Sequence, residues 1–255
     1  MNKKLSTKLV SRLNMCRDLG YQLTPKSMIM DFGCGSGGTV QELRRLGYQS
    51  FGCDLEFRQE EGIDTETLAA QGTIRLIDPG PYKLPFDDDT FDVVFSDQVF
   101  EHVQNYSETI SEISRILKPG GFCLHIFPAR YKLIEPHVYV PLSTVIRSYP
   151  WLYIWAAVGI RNEHQNGLSV RDTVDRNKNY LRTHTNYLPK RRIRQYFGEF
   201  FREVDFCERL FLKNSARGSR VYTLSKFLPF IPALYSTIRS RVVFASKPVK
   251  VADRL

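Results

Sequence analysis

The stretch Met28-Ile29-Met30-Asp31-Phe32-Gly33-Cys34-Gly35-Ser36-Gly37-Gly38 decides how this chain is read. A short apolar run breaks into closely spaced glycines, and a helical pattern then runs over residues 39–46 until Gly47 closes it. A strand that turns through glycines into a helix brings backbone close to a ligand. Only glycine leaves that space and tolerates the dihedrals required. Gly33, Gly35 and Gly38 satisfy G-x-G-x-x-G, and Asp54 ends the next strand, where a carboxylate takes ribose hydroxyls. The loop narrows the ligand to one with an adenosine-like ribose and does not choose further.

Working outward, the chain alternates strands with helices. A helical stretch at 65–71 precedes a strand at 73–77 that runs into Asp78, followed by a strand at 91–96. A helix at 105–117 places Tyr106, Ile110, Ile113 and Leu117 on one face, and a strand follows at 122–127. Upstream, Leu5, Leu9, Leu13, Cys16 and Leu19 form the apolar stripe of an amphipathic helix. Beyond Phe127 the rhythm breaks. Residues 128–186 read as irregular, with an aromatic run at 149–155, before a helix at 189–200 and a strand at 204–210. A basic and apolar segment at 224–238 precedes the last strand, 242–245. This pattern predicts an α/β, Rossmann-like, doubly wound and mostly parallel seven-stranded sheet, with insertions after strand 5 and before the last strand. It forms one domain: a core over 1–127, an acceptor-side insertion over 128–186, and sheet completion over 187–255.

The composition (255 residues, 42% hydrophobic, 25% charged) excludes a disordered chain. Five cysteines without C-x-x-C spacing point to a reducing cytosol. The first sixteen residues show no signal-peptide pattern, and no window is apolar enough to span a bilayer. The net charge of +9 hides a split. Residues 1–127 carry 13 Lys/Arg and 18 Asp/Glu, whereas residues 128–255 carry 23 and 9. The basic half points to an anionic partner, with a solvated basic face as the plain alternative.

Four features choose the ligand. Asp31 opens the glycine loop, where a negative charge suits an amino group and not a pyrophosphate. Leu84-Pro85-Phe86-Asp87 precedes Phe91-Asp92-Val93-Val94-Phe95-Ser96, Glu101-His102-Val103 follows, and Leu117-Lys118-Pro119-Gly120-Gly121 turns the next helix back into a strand. In this order the motifs resemble those of the class I S-adenosylmethionine (SAM) dependent methyltransferases, type 11 group, over about residues 28–128. Phe244-Ala245-Ser246-Lys247-Pro248 resembles the family's last strand.

The resemblance implies SAM as cofactor. It places Asp31 and the backbone of Gly33 and Gly35 at the methionine end, Asp54 at the ribose and Asp78 at the adenine amino group. Ser96, Asp97 and Gln98 would line the floor near the sulfonium. Here Pro79-Gly80-Pro81-Tyr82-Lys83 departs from the family spacing, and Pro79 has no N–H, so Gly80 or Tyr82 stands as a substitute adenine contact.

Other polar residues have plainer readings: Asp92 as a strand start, His125 as a satisfied core histidine, Asp87-Asp88-Asp89 as a solvated turn, and His102 as a helix-opening or packing residue. No metal is assigned, because neither zinc nor calcium spacing occurs.

The acceptor belongs at the carboxyl ends of the strands, where residues 128–186 follow the fifth strand. There His137 is the candidate base and Glu135 its orienting partner, with Arg130 or Lys132 to hold an anionic acceptor; an ordinary surface loop is the alternative. The expected activity is methyl transfer to a small-molecule, saccharide or lipid-linked acceptor at oxygen, in the cytosol. The amphipathic segments 149–160 and 227–235 admit a peripheral membrane contact. The rivals are an RNA methyltransferase, prompted by Lys190-Arg191-Arg192-Ile193-Arg194 but lacking an RNA-binding module, and a SAM-binding regulatory protein without turnover. A nicotinamide oxidoreductase is disfavoured by the Leu-Pro-Phe and Lys-Pro-Gly-Gly motifs.

Overall fold

The computed structural model describes residues 5–216 and 218–248. Seven strands form one sheet: β1 (Met28–Phe32), β2 (Gln49–Asp54), β3 (Ile74–Leu76), β4 (Phe91–Asp97), β5 (Leu117–Pro128), β6 (Glu203–Phe206) and β7 (Ser240–Ser246). Their order is β3-β2-β1-β4-β5-β7-β6. The first five are parallel, and β7 runs antiparallel to both β5 and β6. The order reverses between β1 and β4, and the carboxyl ends of β1, β2 and β4 bring Asp31, Asp54 and Asp97 to one edge of the sheet. Open α/β sheets bind ligands at such a switch point.

Among the described residues there are ten α-helices: α1 (Thr7–Asp18), α2 (Gly38–Arg45), α3 (Thr65–Ala70), α4 (Tyr106–Ile116), α5 (Tyr149–Ala157), α6 (Val170–Thr183), α7 (Lys190–Gly198), α8 (Glu208–Asn214), α9 (Ser219–Ser225) and α10 (Ile231–Ile238). They cover both faces of the sheet. On one side Met30, Val94 and Cys123 pack with Ile110 and Ile113 of α4 and Phe197 of α7. On the other, Ile29, Val93 and Leu124 meet Leu9 and Met15 of α1, with Leu43 of α2. Strands buried on both faces need apolar side chains throughout, which is why β4 reads almost continuously apolar.

Several expected boundaries move. The Lys-Pro-Gly-Gly turn is absorbed into β5 as an irregularity in its pairing with β4. Lys118 holds it by pairing with Asp92 at 2.9 Å, and Asp92 also accepts from the Met28 amide at 2.7 Å. The strand expected to reach Leu210 stops at Phe206, because the apolar run after Cys207 curls into α8, where Leu212 is buried. Residues 128–186 are not irregular. They contain α5 and α6, which share a small core of Val138, Leu152, Val174 and Leu181. The 224–238 segment spans the end of α9 and all of α10. Among the described residues, no helix is long and apolar enough to cross a membrane.

Candidate active site

The glycine loop after β1 uses its glycines for different reasons. Gly33, Gly35 and Gly37 all have left-handed backbone, with φ of 75°, 55° and 85°. A side chain on Gly33 would run into Val99, and one on Gly37 would meet Leu68 at 2.9 Å. Gly35 instead faces open space, with only Arg58 Cδ nearby at 4.0 Å. That opening is bordered by Asp54, whose carboxylate accepts from the amides of Gly35 at 2.8 Å and Leu55 at 2.7 Å. A carboxylate has about four acceptor positions, so room for two ribose hydroxyls remains.

The methionine end of the site contains a residue the sequence reading missed. Arg12 of α1 is 3% exposed, pairs with Asp97 at 3.0 Å, and has an Nε with no hydrogen-bond partner among the described residues. It lies beside Asp31, whose carboxyl burial pushes up to about 6 while Arg12 pulls it back. A buried cation between Asp31 and Asp97 suits a zwitterion, with the acids facing an ammonium and the guanidinium a carboxylate. SAM therefore fits the residues present. A cation at 12, one residue from the Leu5–Leu9–Leu13 stripe, was the available signal.

Three of the expected contact residues already have partners within the chain. Ser96 is fully buried and hydrogen-bonds His125 Nδ1 at 2.8 Å, so it turns into the sheet and does not line a floor. Asp97 is engaged by Lys8 and Arg12, leaving Gln98 exposed at the strand end with φ of 58°. Asp78 opens a small hairpin of Asp78–Pro79 with Tyr82–Lys83 that accommodates the extra residues. There it accepts from the Gly80 amide at 2.9 Å, while Tyr82 packs into the core, so both expected adenine substitutes are already engaged.

Beside the loop lies a cavity of about 590 Å³, walled by Arg58, the 136–139 and 162–165 segments, and Arg176, Tyr180 and His184 of the α6 region. The Glu135–His137 pair stands at its wall. His137 Nδ1 and Glu135 Oε1 are 2.7 Å apart, and Glu135 also accepts from Tyr187 Oη and from the amides of His137 and Val138, each at 2.7 Å. Burial raises the Glu135 carboxyl, but these hydrogen bonds outweigh it and hold the group below its ordinary range. Glu135 is 0% exposed and His137 29%, so only the imidazole is reachable, through its Nε2.

His102 sits in a turn before α4 and not at a helix start. Its Nδ1 lies 2.7 Å from the His184 carbonyl, and its ring meets that of His137 edge-on at 4.8 Å. Next to it Glu101 is 1% exposed, with neither carboxyl oxygen hydrogen-bonded among the described residues, and burial pushes it up to about 8. His125, by contrast, has one nitrogen bonded and one without a hydrogen-bond partner among the described residues, and burial pulls it down to about 3.

These two buried groups set a pH signature. Folded Glu101 keeps its proton to about pH 8 whereas an exposed glutamate releases it near 4.5, so stability falls as pH rises through that window. Buried neutral His125 makes stability rise with pH, but only below about 6.5. Above pH 6.5 the His125 contribution fades, and Glu101 lowers stability by at most about 1.4 kcal/mol per pH unit up to about pH 8. Urea unfolding at stepped pH is expected to show it in the native chain and to show it flattened in Glu101→Gln; an unaltered slope assigns the descent to another group.

Among the described residues, no group of three or more His, Cys, Asp or Glu is placed to hold a metal ion. Asp88 pairs with Arg115 at 2.7 Å and Asp89 with Lys247 at 2.9 Å. The basic run at 190–194 lies on α7, where Lys190 and Arg194 stand over the ring of Phe206.

Residues 30–125 match the family model described as a methyltransferase domain. A sterol 4-C-methyltransferase of Caenorhabditis elegans is 30% identical over 103 residues, which are 39% of this chain and 30% of that protein. A sarcosine/dimethylglycine N-methyltransferase of Halorhodospira halochloris is 32% identical over 120 residues, 46% of this chain and 42% of that one. The match thus spans less than half the length of these relatives. A phosphoethanolamine N-methyltransferase 2 of Haemonchus contortus, solved with phosphomonomethylethanolamine and S-adenosylhomocysteine, shares the fold. The superposition has a TM-score of 0.50 at 19% identity and covers 93% of this chain and 53% of the other. The motif order, the strand order reversing at the glycine loop, and the matched segment agree: residues 30–125 match a methyltransferase domain and are similar to the class I SAM-dependent methyltransferases of the type 11 group.

Proposed function

We propose that the chain transfers a methyl group from SAM to a hydroxyl of a small anionic acceptor held in the cavity beside the glycine loop. The observation that carries this reading is the Glu135–His137 pair, buried acid behind reachable imidazole, at the cavity wall. SAM, when bound, supplies a methyl group on a good leaving group, so the protein's part is alignment and proton removal. His137 Nε2 takes the hydroxyl proton, and Glu135 fixes the ring and offsets the imidazolium charge. Arg58 and Arg176 attract the acceptor's anionic group, and Tyr180 gives it an aromatic wall. Two cations and three imidazoles against one carboxylate, Glu163, around the cavity disfavour a cationic amine as acceptor. The relatives named above act on sterols and on amino-acid amines, so acceptor class differs widely on this fold. Five free thiols, four of them buried, support a reducing, cytosolic setting.

The test is titration calorimetry with SAM and NAD, followed by an acceptor screen read as S-adenosylhomocysteine release. Hydroxylated carboxylates and phosphates are expected to turn over. Turnover confined to amines, or NAD binding without SAM binding, overturns the reading.

A further inference from the structure

Among the described residues nineteen large hydrophobic side chains are exposed, and fifteen of them come from two stretches, 131–158 and 224–234. The clustering is too tight for ordinary scatter over a soluble surface. In the first stretch, α5 contains no charged residue at all, and its outward side presents Tyr149, Tyr153, Ile154 and Val158. In the second, Lys226-Phe227-Leu228-Pro229-Phe230 is exposed at every position, Phe227 at 78%, and α10 that follows is again uncharged.

The two stretches are joined. The amides of Ala129 and Tyr131 donate to the carbonyls of Arg239 and Thr237 at 3.2 Å, fastening the start of the first stretch to the end of α10. A bridge between Ile134 and Pro141, and the Trp151 indole donating to the Pro141 carbonyl at 2.8 Å, carry the connection on to α5.

Charge identifies what covers this face. Residues 130–161 and 220–239 contain seven Lys or Arg and one acid, Glu135, which is fully buried in the His137 pair. Of these cations Arg220, Lys226 and Arg239 are exposed, so the two segments present aromatic and aliphatic side chains with exposed cations from the second and no exposed carboxylate of their own. A protein partner or a second copy of the chain imposes no such exclusion of acids; an anionic bilayer does, because each basic residue gains from the surface potential and each acid would lose. Exposed aromatics of this kind sit at the level of the head groups.

We propose that this face, formed by α5, the 226–230 loop and α10, docks the protein on the surface of an anionic membrane. Docking is peripheral: the apolar side chains enter the head-group boundary and the cations engage the lipid phosphates. This inference stands apart from methyl transfer and does not rest on it.

The experiment is co-sedimentation with phosphatidylcholine vesicles and with phosphatidylcholine–phosphatidylglycerol vesicles, at low and at physiological salt. The full chain is compared with the double variant Phe227→Ser/Phe230→Ser. Both phenylalanines are exposed, so the variant keeps its fold, and SAM calorimetry on the same samples verifies it. The expected result is pelleting that requires phosphatidylglycerol, weakens with salt and falls by at least about tenfold in the variant. No pelleting with phosphatidylglycerol at low salt overturns the proposal, as does pelleting that the variant leaves unchanged. Self-association on gel filtration that the variant abolishes overturns it too, by giving the face to a second copy. SAM binding and turnover are read separately, so a failed membrane result and a failed methyltransferase reading cannot be confused.

Discussion

The His137→Gln variant is expected to lose turnover by a factor on the order of 10² to 10⁴ while binding SAM as the native chain does. The separation follows from position. His137 lines the cavity, and Arg58, which shares that lining, is the residue that borders Gly35 of the glycine loop. Glutamine keeps a polar group of similar size toward Glu135, so the buried carboxylate is not stripped of its partner, and the amides of His137 and Val138 and the Tyr187 hydroxyl still satisfy it. What glutamine cannot do is accept a proton. The measurement is S-adenosylhomocysteine release with the acceptor found in the screen, beside calorimetry with SAM. Turnover left intact would mean that the acceptor needs no base here and that the Glu135–His137 pair only braces the insertion.

Gly33→Ala is expected to weaken SAM binding by about tenfold to a hundredfold. Two effects add. At φ of 75° a side chain costs about 1–2 kcal/mol, and the new methyl group meets the side chain of Val99, which packs against the core and has little freedom to withdraw. The Gly33 amide is bonded to the Cys53 carbonyl at 2.8 Å, so the loop escapes the collision only by giving up that bond and shifting Gly35 with it. Gly20→Ala serves as the control: φ is 90° there, yet nothing lies within 4 Å. It carries the dihedral penalty alone and leaves SAM binding untouched. Equal SAM affinity in Gly33→Ala and the native chain would remove this loop from the cofactor site.

Most of the fold was legible because burial on both faces leaves a plain trace. β1 and β4 are largely apolar runs that lead into Gly33 and end in Asp97, respectively, and the intervening helices keep a 3.6-residue stripe. The α6 helix was hidden because it carries few apolar residues and is anchored by polar ones: Ser169 caps it, accepting from the Asp172 amide at 3.1 Å. The C-terminal end of β6 was misread because Leu210 and Leu212 are as apolar as a strand, and only their packing against neighbouring helices makes them helical. In the site, His137 and Glu135 were readable because they are two residues apart. The cavity was not, because Arg58, the 162–165 segment and Arg176 are distant in sequence and share no spacing. Glu101 stood in a quoted motif, but its significance lies in burial with neither carboxyl oxygen hydrogen-bonded among the described residues, which a sequence does not record.

Arg58 belongs to both halves of the site. Its amide approaches the Gly35 carbonyl at 3.4 Å, its side chain borders the space in front of Gly35, and its guanidinium helps wall the cavity. An anion that draws Arg58 outward therefore tugs on the cofactor loop, and a cofactor that settles the loop fixes where Arg58 waits. Whatever factor one ligand imposes on the affinity of the other must hold equally in reverse. A ligand in the cavity and one at the glycine loop that both engage Arg58 are coupled through it, and reciprocity fixes the size of that coupling without fixing the order of arrival.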